Sequence, residues 1–373
     1  MFSKLSSRVI IVVAAGLIAV AAGFLLSSRP VQQEIAAQTA RGAFGQSKLN
    51  LLVLGYQEDE ATTDTVILLH LDVDRRNATL VSIPRDTWVP IPAVGPSKIN
   101  TAYAYGGPKA TAKAVGALMG NIPIDATLAL QPQGAAQIVD ALGGLNVNVD
   151  ENMDYDDYNG QLHIHLRKGE HYLTGSQVLG YIRFRHDPAS DFGRVKRQQQ
   201  VLKLMLDQVG QPQNWAKLPR ILQFARKDMK TALTDRQLMA LLEIYRNVPD
   251  ENVRSFTLPS KAGWAGDASV VFADERWAKL IGKLLFSKVD PPQDNVVVAN
   301  ATGIADFDKT IVGALRGAGW NVPTFVDQPV KPTSIMIGTS PAAKALSKTL
   351  AVALRFGKDD TLVIGADLAP DIK

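Results

Sequence analysis

The chain has 373 residues, of which 46% are hydrophobic and 20% charged, and its formal net charge at pH 7 is +4. This composition excludes a largely disordered chain, and the small positive charge does not by itself indicate a polyanionic partner. Because the sequence contains no cysteine, disulfides and thiolate metal centres are excluded. The absence of thiols is compatible with an oxidising, extracytoplasmic location.

The N-terminus is a short basic segment followed by a long apolar run. Residues 9–26 carry no charge, and as a helix they would extend about 27 Å, close to the thickness of a bilayer's hydrocarbon core. Lys4 and Arg8 precede this run, which favours a cytoplasmic N-terminus. The sequence therefore predicts a cytoplasmic tail over residues 1–8, a transmembrane helix over 9–28 and an extracytoplasmic remainder. A cleaved signal peptide is the alternative.

Strands and helices alternate after a polar stalk, which we place at residues 29–48. Apolar runs of strand length and helices that end at glycine predict an α/β fold built in layers, over residues 49–289. Within this domain, residues 213–287 are expected to be rich in helix. A linker at residues 290–294 is followed by a pattern of strand, helix, strand, strand, helix and strand. This pattern predicts a small second α/β domain over residues 295–373.

Cations and acids are concentrated between residues 181 and 200. If the segment YIRFR is a strand, Arg183 and Arg185 share one face, with their Cα atoms about 6.5–7 Å apart. This separation suits two phosphates or one pyrophosphate. Guanidinium groups are permanently charged and bind phosphate oxygens with two parallel hydrogen bonds, which lysine does less specifically.

An amphipathic helix is predicted directly after this segment. Its apolar positions recur at helical spacing: Leu202, Met205, Leu206 and Val209. The same periodicity places Gln198 within the apolar arc and Arg194 and Arg197 near its edge, while Lys196 lies on the opposite side. Asp191 either caps the helix or orients Arg194. On spacing alone, an anion site and a salt-bridged helix start are equal alternatives.

Charged residues also stand at the ends of two upstream strands. Asp64 precedes one apolar strand, while Arg85 and Asp86 directly follow another. Loops at strand ends of α/β sheets are frequent ligand positions. Lys98, in the segment KINTAYAYGG, either reaches a phosphate or is a turn residue.

The loop GYQEDEATTD is acidic. Glu58, Asp59 and Asp64 provide carboxylates that can hold Mg²⁺, which accepts one or two carboxylates together with phosphate oxygens. A solvated loop is the alternative, because an aspartate beside a strand is more often a turn former than a metal ligand.

Taken together, these motifs resemble the LytR-CpsA-Psr family. The resemblance covers residues 49–210 and runs in order through TDTVILLHLD, SIPRDTWVPIP, KINTAYAYGG, IVDALGGLNVNVD, LTGSQVLGYIRFRHD and DFGRVKRQQQVL. It implies a three-layer α/β/α domain with a mixed central sheet and an N-terminal membrane anchor. The C-terminal residues 295–373 resemble the small LytR C-terminal domain that is often fused to this family.

The resemblance also implies a function and a set of site residues. Family members are extracytoplasmic phosphotransferases that move a glycopolymer from a polyprenyl-pyrophosphate carrier onto a cell-wall acceptor, commonly a peptidoglycan hydroxyl. The implied pyrophosphate ligands are Arg85, Arg183, Arg185, Arg194 and Gln198. Lys98, Arg197 and Asp86 are further candidates for substrate contacts. Asp191 would orient the arginines or the acceptor, either Asp191 or Asp86 would act as the base, and Asp64 would bind Mg²⁺.

Two positions depart from the family pattern. Gln57 stands where a metal-binding aspartate is usual, and Thr62 stands where an arginine is usual. Glu58 or Asp59 then substitutes as a ligand, or Asp64 holds the metal alone. The alternative function is therefore a non-catalytic protein that binds a polyprenyl-linked glycan. Nucleic-acid binding is disfavoured, because there is no helix-turn-helix pattern and the anchor places the domain outside the cytoplasm.

Overall fold

A computed structural model describes residues 39–57, 61–157, 162–184, 190–286, 291–304 and 307–370. This part begins with a helical segment over residues 39–44. The α-helices after it are α1 (Gly107–Leu118), α2 (Pro132–Leu142), α3 (Gly175–Arg183), α4 (Ser190–Gly210), α5 (Leu218–Asp228), α6 (Asp235–Arg246), α7 (Glu275–Leu285), α8 (Phe307–Gly317) and α9 (Pro341–Leu350). Short 3₁₀ helices cover Ile99–Tyr103, Pro212–Lys217 and Asp250–Asn252.

The strands alternate with these helices along the chain. They are β1 (Lys48–Gln57), β2 (Thr62–Asp72), β3 (Asn77–Ile83), β4 (Trp88–Ile91), β5 (Gly95–Lys98), β6 (Ala126–Leu130), β7 (Leu145–Val149), β8 (Met153–Asp157), β9 (Leu162–Leu166), β10 (Gly169–Leu173), β11 (Met229–Thr231), β12 (Val253–Thr257), β13 (Ser260–Ala265), β14 (Ala268–Ala273), β15 (Val297–Asn300), β16 (Phe325–Asp327), β17 (Ile335–Ile337), β18 (Ala353–Arg355) and β19 (Thr361–Ile364).

A six-stranded mixed sheet forms the centre of the larger domain, in the order β11-β6-β1-β2-β3-β12. β1, β2 and β3 are antiparallel neighbours, whereas β6 runs parallel to β1 and β12 runs parallel to β3. β2 and β3 are buried along nearly their whole length. Strands that are covered on both faces read as continuous apolar runs, which explains segments such as TVILLHL.

Hydrophobic cores lie on both faces of this sheet, so the domain has three layers. Leu51 and Val53 of β1 belong to the core shared with helices α2 to α6. Leu52 and Leu54, on the opposite face, belong to the core shared with α1 and α7. This alternation is the one expected of a strand between two helical layers. The predicted α/β fold with a mixed central sheet is thereby confirmed.

Residues 291–370 include a second, five-stranded sheet in the order β16-β15-β19-β17-β18, with α8 and α9 beside it. Two glycines bring α8 into close contact with the central sheet. A Cβ atom at Gly317 would lie 2.2 Å from Oγ1 of Thr79 in β3, and one at Gly313 would lie 3.0 Å from the Phe256 ring in β12. The second α/β unit therefore packs directly on the first, and strand β18 is an addition to the predicted pattern.

The prediction that YIRFR is a strand is wrong. Thr174 and Gln177 form a capping box, in which each side chain binds the other's backbone N–H, and α3 continues from there to Arg183. This cap satisfies otherwise unpaired N–H groups and starts a helix that includes the tyrosine, isoleucine and first arginine of the segment. The strand argument that placed Arg183 and Arg185 on one face therefore does not hold.

The stretch 213–287, expected to be rich in helix, also contains four strands, β11 to β14. Two of them, β11 and β12, are the edge strands of the central sheet. Their short runs pair with partners far away in sequence, as β12 does with β3, so local periodicity gave no sign of them.

None of the helices in the described part of the chain is long and apolar enough to cross a bilayer. The predicted cytoplasmic tail, the transmembrane helix and the first half of the stalk fall within residues 1–38, which lie outside the described residues.

His70 is a buried imidazole near the C-terminal end of β2. Its Nδ1 lies 2.9 Å from Oδ1 of Asn50 on β1, so the neutral ring donates to the amide oxygen. Burial, followed by the charges of Lys48 and Arg75, lowers the pKa of His70 to about 3. The folded protein therefore keeps this side chain neutral far into the acidic range.

We expect the free energy of unfolding to decrease as the pH falls from neutral towards 4. The unfolded chain takes up a proton at the ordinary histidine pKa of 6.5, whereas folded His70 does so only at about 3. His70→Gln should flatten this dependence in urea unfolding followed from pH 7 to pH 4. His171→Gln, which removes a partly exposed imidazole, is the control. An equal slope in both variants would contradict the assignment.

Candidate functional site

Charged side chains gather at one end of the central sheet, where β1 and β3 end and β2 begins. Gly55 of β1 pairs with Thr65 of β2, and Val66 of β2 pairs with Ile83 of β3. Asp64 therefore lies next to the loop that follows β3 and carries Arg85. The sheet register brings these two residues together, although they are far apart in the sequence.

A β-bulge sets the position of Asp64. Gly55 is opposite Thr65, but Tyr56 is opposite Thr63, so Asp64 is the extra residue on β2. In a regular strand, Asp64 would share a face with Val66. The extra residue interrupts that alternation, and bulges of this kind commonly redirect a side chain beside an active site.

Asp64 and Arg85 form a buried ion pair. Arg85 Nη1 donates to Asp64 Oδ1 at 2.8 Å, and the side chains are 16% and 0% exposed, respectively. The pair continues outward, because Arg85 Nε lies 3.7 Å from Asp86 Oδ2 and Lys98 Nζ lies 3.1 Å from Asp86 Oδ1. These four side chains form a row of alternating charge, which we call the charge row.

Arg183, the last residue of α3, lies near enough to the same carboxylate to feel its charge. Burial lowers the pKa of Arg183, and the nearby charge of Asp64 opposes this shift. A guanidinium stays protonated at neutral pH, so its cost of burial is offset by neighbouring negative charge. Asp64 thus acts on two guanidinium groups, which are held near each other at the sheet end.

Helix α4 follows the predicted amphipathic pattern. Gln198 and Arg197 are 1% and 6% exposed. Lys196 points to solvent, where its Nζ lies 2.8 Å from Asp150 Oδ2. Among the described side chains, the predicted inward and outward positions are therefore seen, and Met205 and Val209 of the predicted apolar positions are buried; the side chains of Leu202, Leu206 and Arg194 lie outside the described part.

Arg197 stabilises the C-terminal end of α3. It donates to the carbonyl oxygen of Phe184, the residue that ends the helix, and its guanidinium carbon lies 5.7 Å from the Phe184 ring and 6.0 Å from the Tyr181 ring. Since Arg183 precedes Phe184, Arg197 fixes the backbone next to it. This is a positioning role, alongside the substrate contact predicted from the sequence.

Several predicted site residues fall outside the described part of the chain. Arg185, Glu58 and Asp59 lie outside the described residues altogether. The backbone of Asp191 and Arg194 belongs to the start of α4, but their side chains lie outside the described part. Their roles remain predictions.

The structure adds residues that the sequence analysis did not single out. Asn100 N–H donates to the Arg85 carbonyl at 3.1 Å and so fixes the loop that carries the arginine. The Asn100 Oδ1 atom is buried and has no hydrogen-bond partner among the described residues. The motif KINTAYAYGG was noted for its lysine, and no residue pattern in it indicated that Asn100 holds the loop that carries Arg85.

A second group of polar and aromatic side chains surrounds Tyr56, beside the same sheet end. Its ring stacks on Tyr103 at 5.0 Å between centroids, Lys230 Nζ lies 4.5 Å from the ring centroid, and Gln131 Nε2 lies 3.2 Å from the tyrosine hydroxyl oxygen. Lys230 adds a cation near the site that no motif indicated.

Asp64 is the described carboxylate that is predicted to bind a metal ion. Within the residues that the structure describes, no group of three or more His, Asp or Glu side chains is placed to hold a metal. Mg²⁺, however, is often bound by one or two carboxylates, with phosphate oxygens and water completing its coordination. The donor set around Asp64 fits that pattern, and Glu58 and Asp59 lie outside the described residues.

The fold and the site define this chain as a three-layer α/β/α protein with a cationic site at one end of its sheet. Sequence comparison identifies its family. The LytR_cpsA_psr family profile matches residues 27–284, and the profile described as LytR cell envelope-related transcriptional attenuator matches residues 293–368. The chain therefore belongs to the LytR-CpsA-Psr family, which confirms the resemblance found in its motifs.

Individual relatives support this assignment. The regulatory protein MsrR of Staphylococcus aureus is 32% identical over 227 residues, which cover 57% of this chain and 65% of MsrR, less than two thirds of its length. The polyisoprenyl-teichoic acid–peptidoglycan teichoic acid transferase TagU of Bacillus cereus is 33% identical over 224 residues, or 59% of this chain and 71% of TagU. The crystal structure of TagV from B. subtilis is similar, with a TM-score of 0.55 and 26% identity over 64% of this chain and 95% of TagV.

We expect Asp64→Asn to destabilise the protein by roughly 3 kcal/mol, because two largely buried guanidinium groups lose their counter-charge. The melting temperature should fall by on the order of 6 °C. Asp74→Asn is a matched control, since Asp74 pairs with Arg41 at the same 2.8 Å but with side chains 44% and 54% exposed, and it should change stability by less than about 0.5 kcal/mol. Equal effects of the two substitutions in thermal unfolding would show that Asp64 has no special role.

Proposed function

We propose that this protein is an extracytoplasmic phosphotransferase that moves a glycopolymer from a polyprenyl-pyrophosphate carrier onto a cell-wall acceptor such as peptidoglycan. The observation that carries this proposal is the buried ion pair of Arg85 with Asp64, beside which Arg183 lies within reach of the same carboxylate's charge. The transferase TagU, whose name specifies a polyisoprenyl-linked donor and a peptidoglycan acceptor, is a relative at 33% identity.

The charges at the sheet end suit an anionic substrate. Among the described side chains, Arg85, Arg183 and Lys98 supply positive charge against the carboxylates of Asp64 and Asp86. Guanidinium groups bind phosphate oxygens through paired, charge-assisted hydrogen bonds. A pyrophosphate carries about two negative charges, and the described side chains offset half of them with their excess of one positive charge. Arg185 and Arg194 are proposed to add to it.

Transfer then needs positioning and electrostatic stabilisation more than covalent participation by the protein. The acceptor hydroxyl oxygen forms a bond to the sugar-proximal phosphorus, and the bond from that phosphorus to the bridging oxygen breaks. The electron pair leaves on the polyprenyl phosphate, where Arg85 and Arg183 stabilise the developing charge. The acceptor proton passes to a carboxylate, for which Asp86 is the described candidate and Asp191 the alternative. Water in place of the acceptor would give a pyrophosphatase side reaction.

Mg²⁺ is the proposed cofactor, with Asp64 as its protein ligand and Glu58 or Asp59 as additional ligands. When bound, it would neutralise non-bridging oxygens of the pyrophosphate. The proposed transmembrane helix at residues 9–28 would keep the domain close to the membrane leaflet in which the lipid carrier resides. The C-terminal domain, residues 295–373, has no assigned role in this reaction.

A non-catalytic glycan-binding protein is the second candidate. It is favoured by Gln57, which stands where the family usually has an aspartate, and by the pairing of Asp64 with Arg85. Binding requires only the cations, whereas transfer also requires the metal and a base. Purified protein that retains a lipid-pyrophosphate glycan without transferring it, in the presence of acceptor and Mg²⁺, would favour this candidate.

We expect Arg183→Ala to reduce transfer by about 100-fold or more, as loss of a group that stabilises transition-state charge usually does. Transfer from a lipid-pyrophosphate glycan to peptidoglycan should be measured with Mg²⁺ present. Lys196→Ala is the matched control, because it removes a nearby cation that is exposed and paired with Asp150, and it should retain activity. Wild-type turnover in Arg183→Ala would count against the site.

We expect Gln57→Asp to leave transfer unchanged or to lower the Mg²⁺ concentration needed for half-maximal activity, because it adds a carboxylate where the family usually has one. Calorimetric titration with Mg²⁺ should show the same direction. Gln57→Asn, which shortens the side chain without adding charge, is the control. A large loss of activity in Gln57→Asp alone would mean that the glutamine amide has its own function.

A further inference from the structure

The hairpin formed by β13 and β14 is attached to the loop of the charge row. Val271 N–H donates to the Asp86 carbonyl at 2.9 Å, and Val271 also forms a parallel β-bridge with Thr87. These main-chain contacts hold the hairpin at a fixed position beside Arg85 and Asp86. Side chains that the hairpin exposes to solvent therefore lie beside the charge row.

What the hairpin presents is the indole of Trp264, which is 70% exposed. Its neighbours on the solvent face are Ala262, two residues before it, and Ser269, directly opposite it, which are both small and exposed, and the half-buried Val271 opposite Ala262. On the other face the hairpin is closely packed, since a Cβ atom at Gly263 would lie 2.8 Å from the Phe272 ring. The hairpin thus has one packed face and one face with a single large, accessible ring.

The strand register sets the distance between Trp264 and the charge row. Ser269, the partner of Trp264, is two residues from Val271 on β14. With about 3.4 Å per residue and about 4.8 Å between strands, the Cα atoms of Trp264 and Val271 are on the order of 8 Å apart. The Val271 N–H is itself hydrogen-bonded to the Asp86 carbonyl. A short oligosaccharide extending from the phosphate site would cover this span.

We propose that Trp264 is a stacking platform for a sugar ring of the acceptor glycan, so that the β13–β14 hairpin forms the acceptor subsite. This inference rests on the proposed transferase function. A pyranose ring has apolar C–H groups on its faces and hydroxyls on its edge. The negative face of an indole attracts those C–H groups while the hydroxyls remain in water. The small, uncharged neighbours Ala262 and Ser269 leave the indole face open to an uncharged ring.

The experiment uses the full chain in detergent and a soluble tetrasaccharide of alternating N-acetylglucosamine and N-acetylmuramic acid. Trp264→Ala should weaken binding of this fragment by about tenfold, the scale of one aromatic contact. Trp264→Tyr should restore most of the affinity. Phe356→Ala is the matched control, because it removes an aromatic ring that is 93% exposed in the C-terminal α/β unit. Fragment affinity that is equal in wild type and Trp264→Ala would overturn the proposal.

Further readouts separate this proposal from its alternatives. In the transfer reaction, Trp264→Ala should raise the KM for acceptor by a similar factor and leave kcat at saturating acceptor and the binding of geranyl pyrophosphate unchanged. If Trp264→Ala instead weakens binding to anionic lipid vesicles and not to the tetrasaccharide, the ring contacts the membrane and the proposal is overturned. Equal binding of geranyl pyrophosphate to wild type and Arg183→Ala would count against the transferase function itself, independently of Trp264.

Discussion

The arrangement of the site depends on one buried carboxylate, that of Asp64. Two guanidinium groups near the same sheet end repel each other and lose hydration, and a buried negative charge close to them offsets both costs. Arg85, in the loop after β3, is bonded to this carboxylate, and Arg183, at the end of α3, is stabilised by its charge. The bulge that positions Asp64 is therefore as much a part of the site as the arginines.

The backbone around these charges is held by groups that do not themselves need to meet the substrate. Arg197 binds the carbonyl at the end of α3, and Asn100 binds the carbonyl of Arg85. Each fixes the main chain at, or immediately next to, a guanidinium-bearing residue. Preorganisation of this kind lowers the cost of arranging donors around an anion, which is the main contribution a protein makes to phosphoryl transfer.

The layered fold could be predicted from the sequence for two reasons. Buried strands such as LNLLVLG are apolar on both faces, and a glycine at the end of a helix marks that end locally. They failed at YIRFR, where the capping box formed by Thr174 and Gln177 sets a helix that residue alternation alone does not reveal. The burial of Gln198 followed from helical periodicity. The bulge at Asp64 depends on how β2 pairs with β1, and the hydrogen bond from Val271 to Asp86 joins residues far apart in the sequence, so neither follows from the residue pattern of one segment.

Gly313 and Gly317 limit which substitutions the contact between the two α/β units can accept. Any larger residue at position 317 would collide with Thr79 on β3, the strand whose C-terminal loop carries Arg85, and with the side chain of Leu285. A larger residue on α8 would have to be matched by a smaller side chain on the central domain. The two α/β units are thus constrained to change in step, and a foreign C-terminal unit grafted onto this core would have to bring the same glycines.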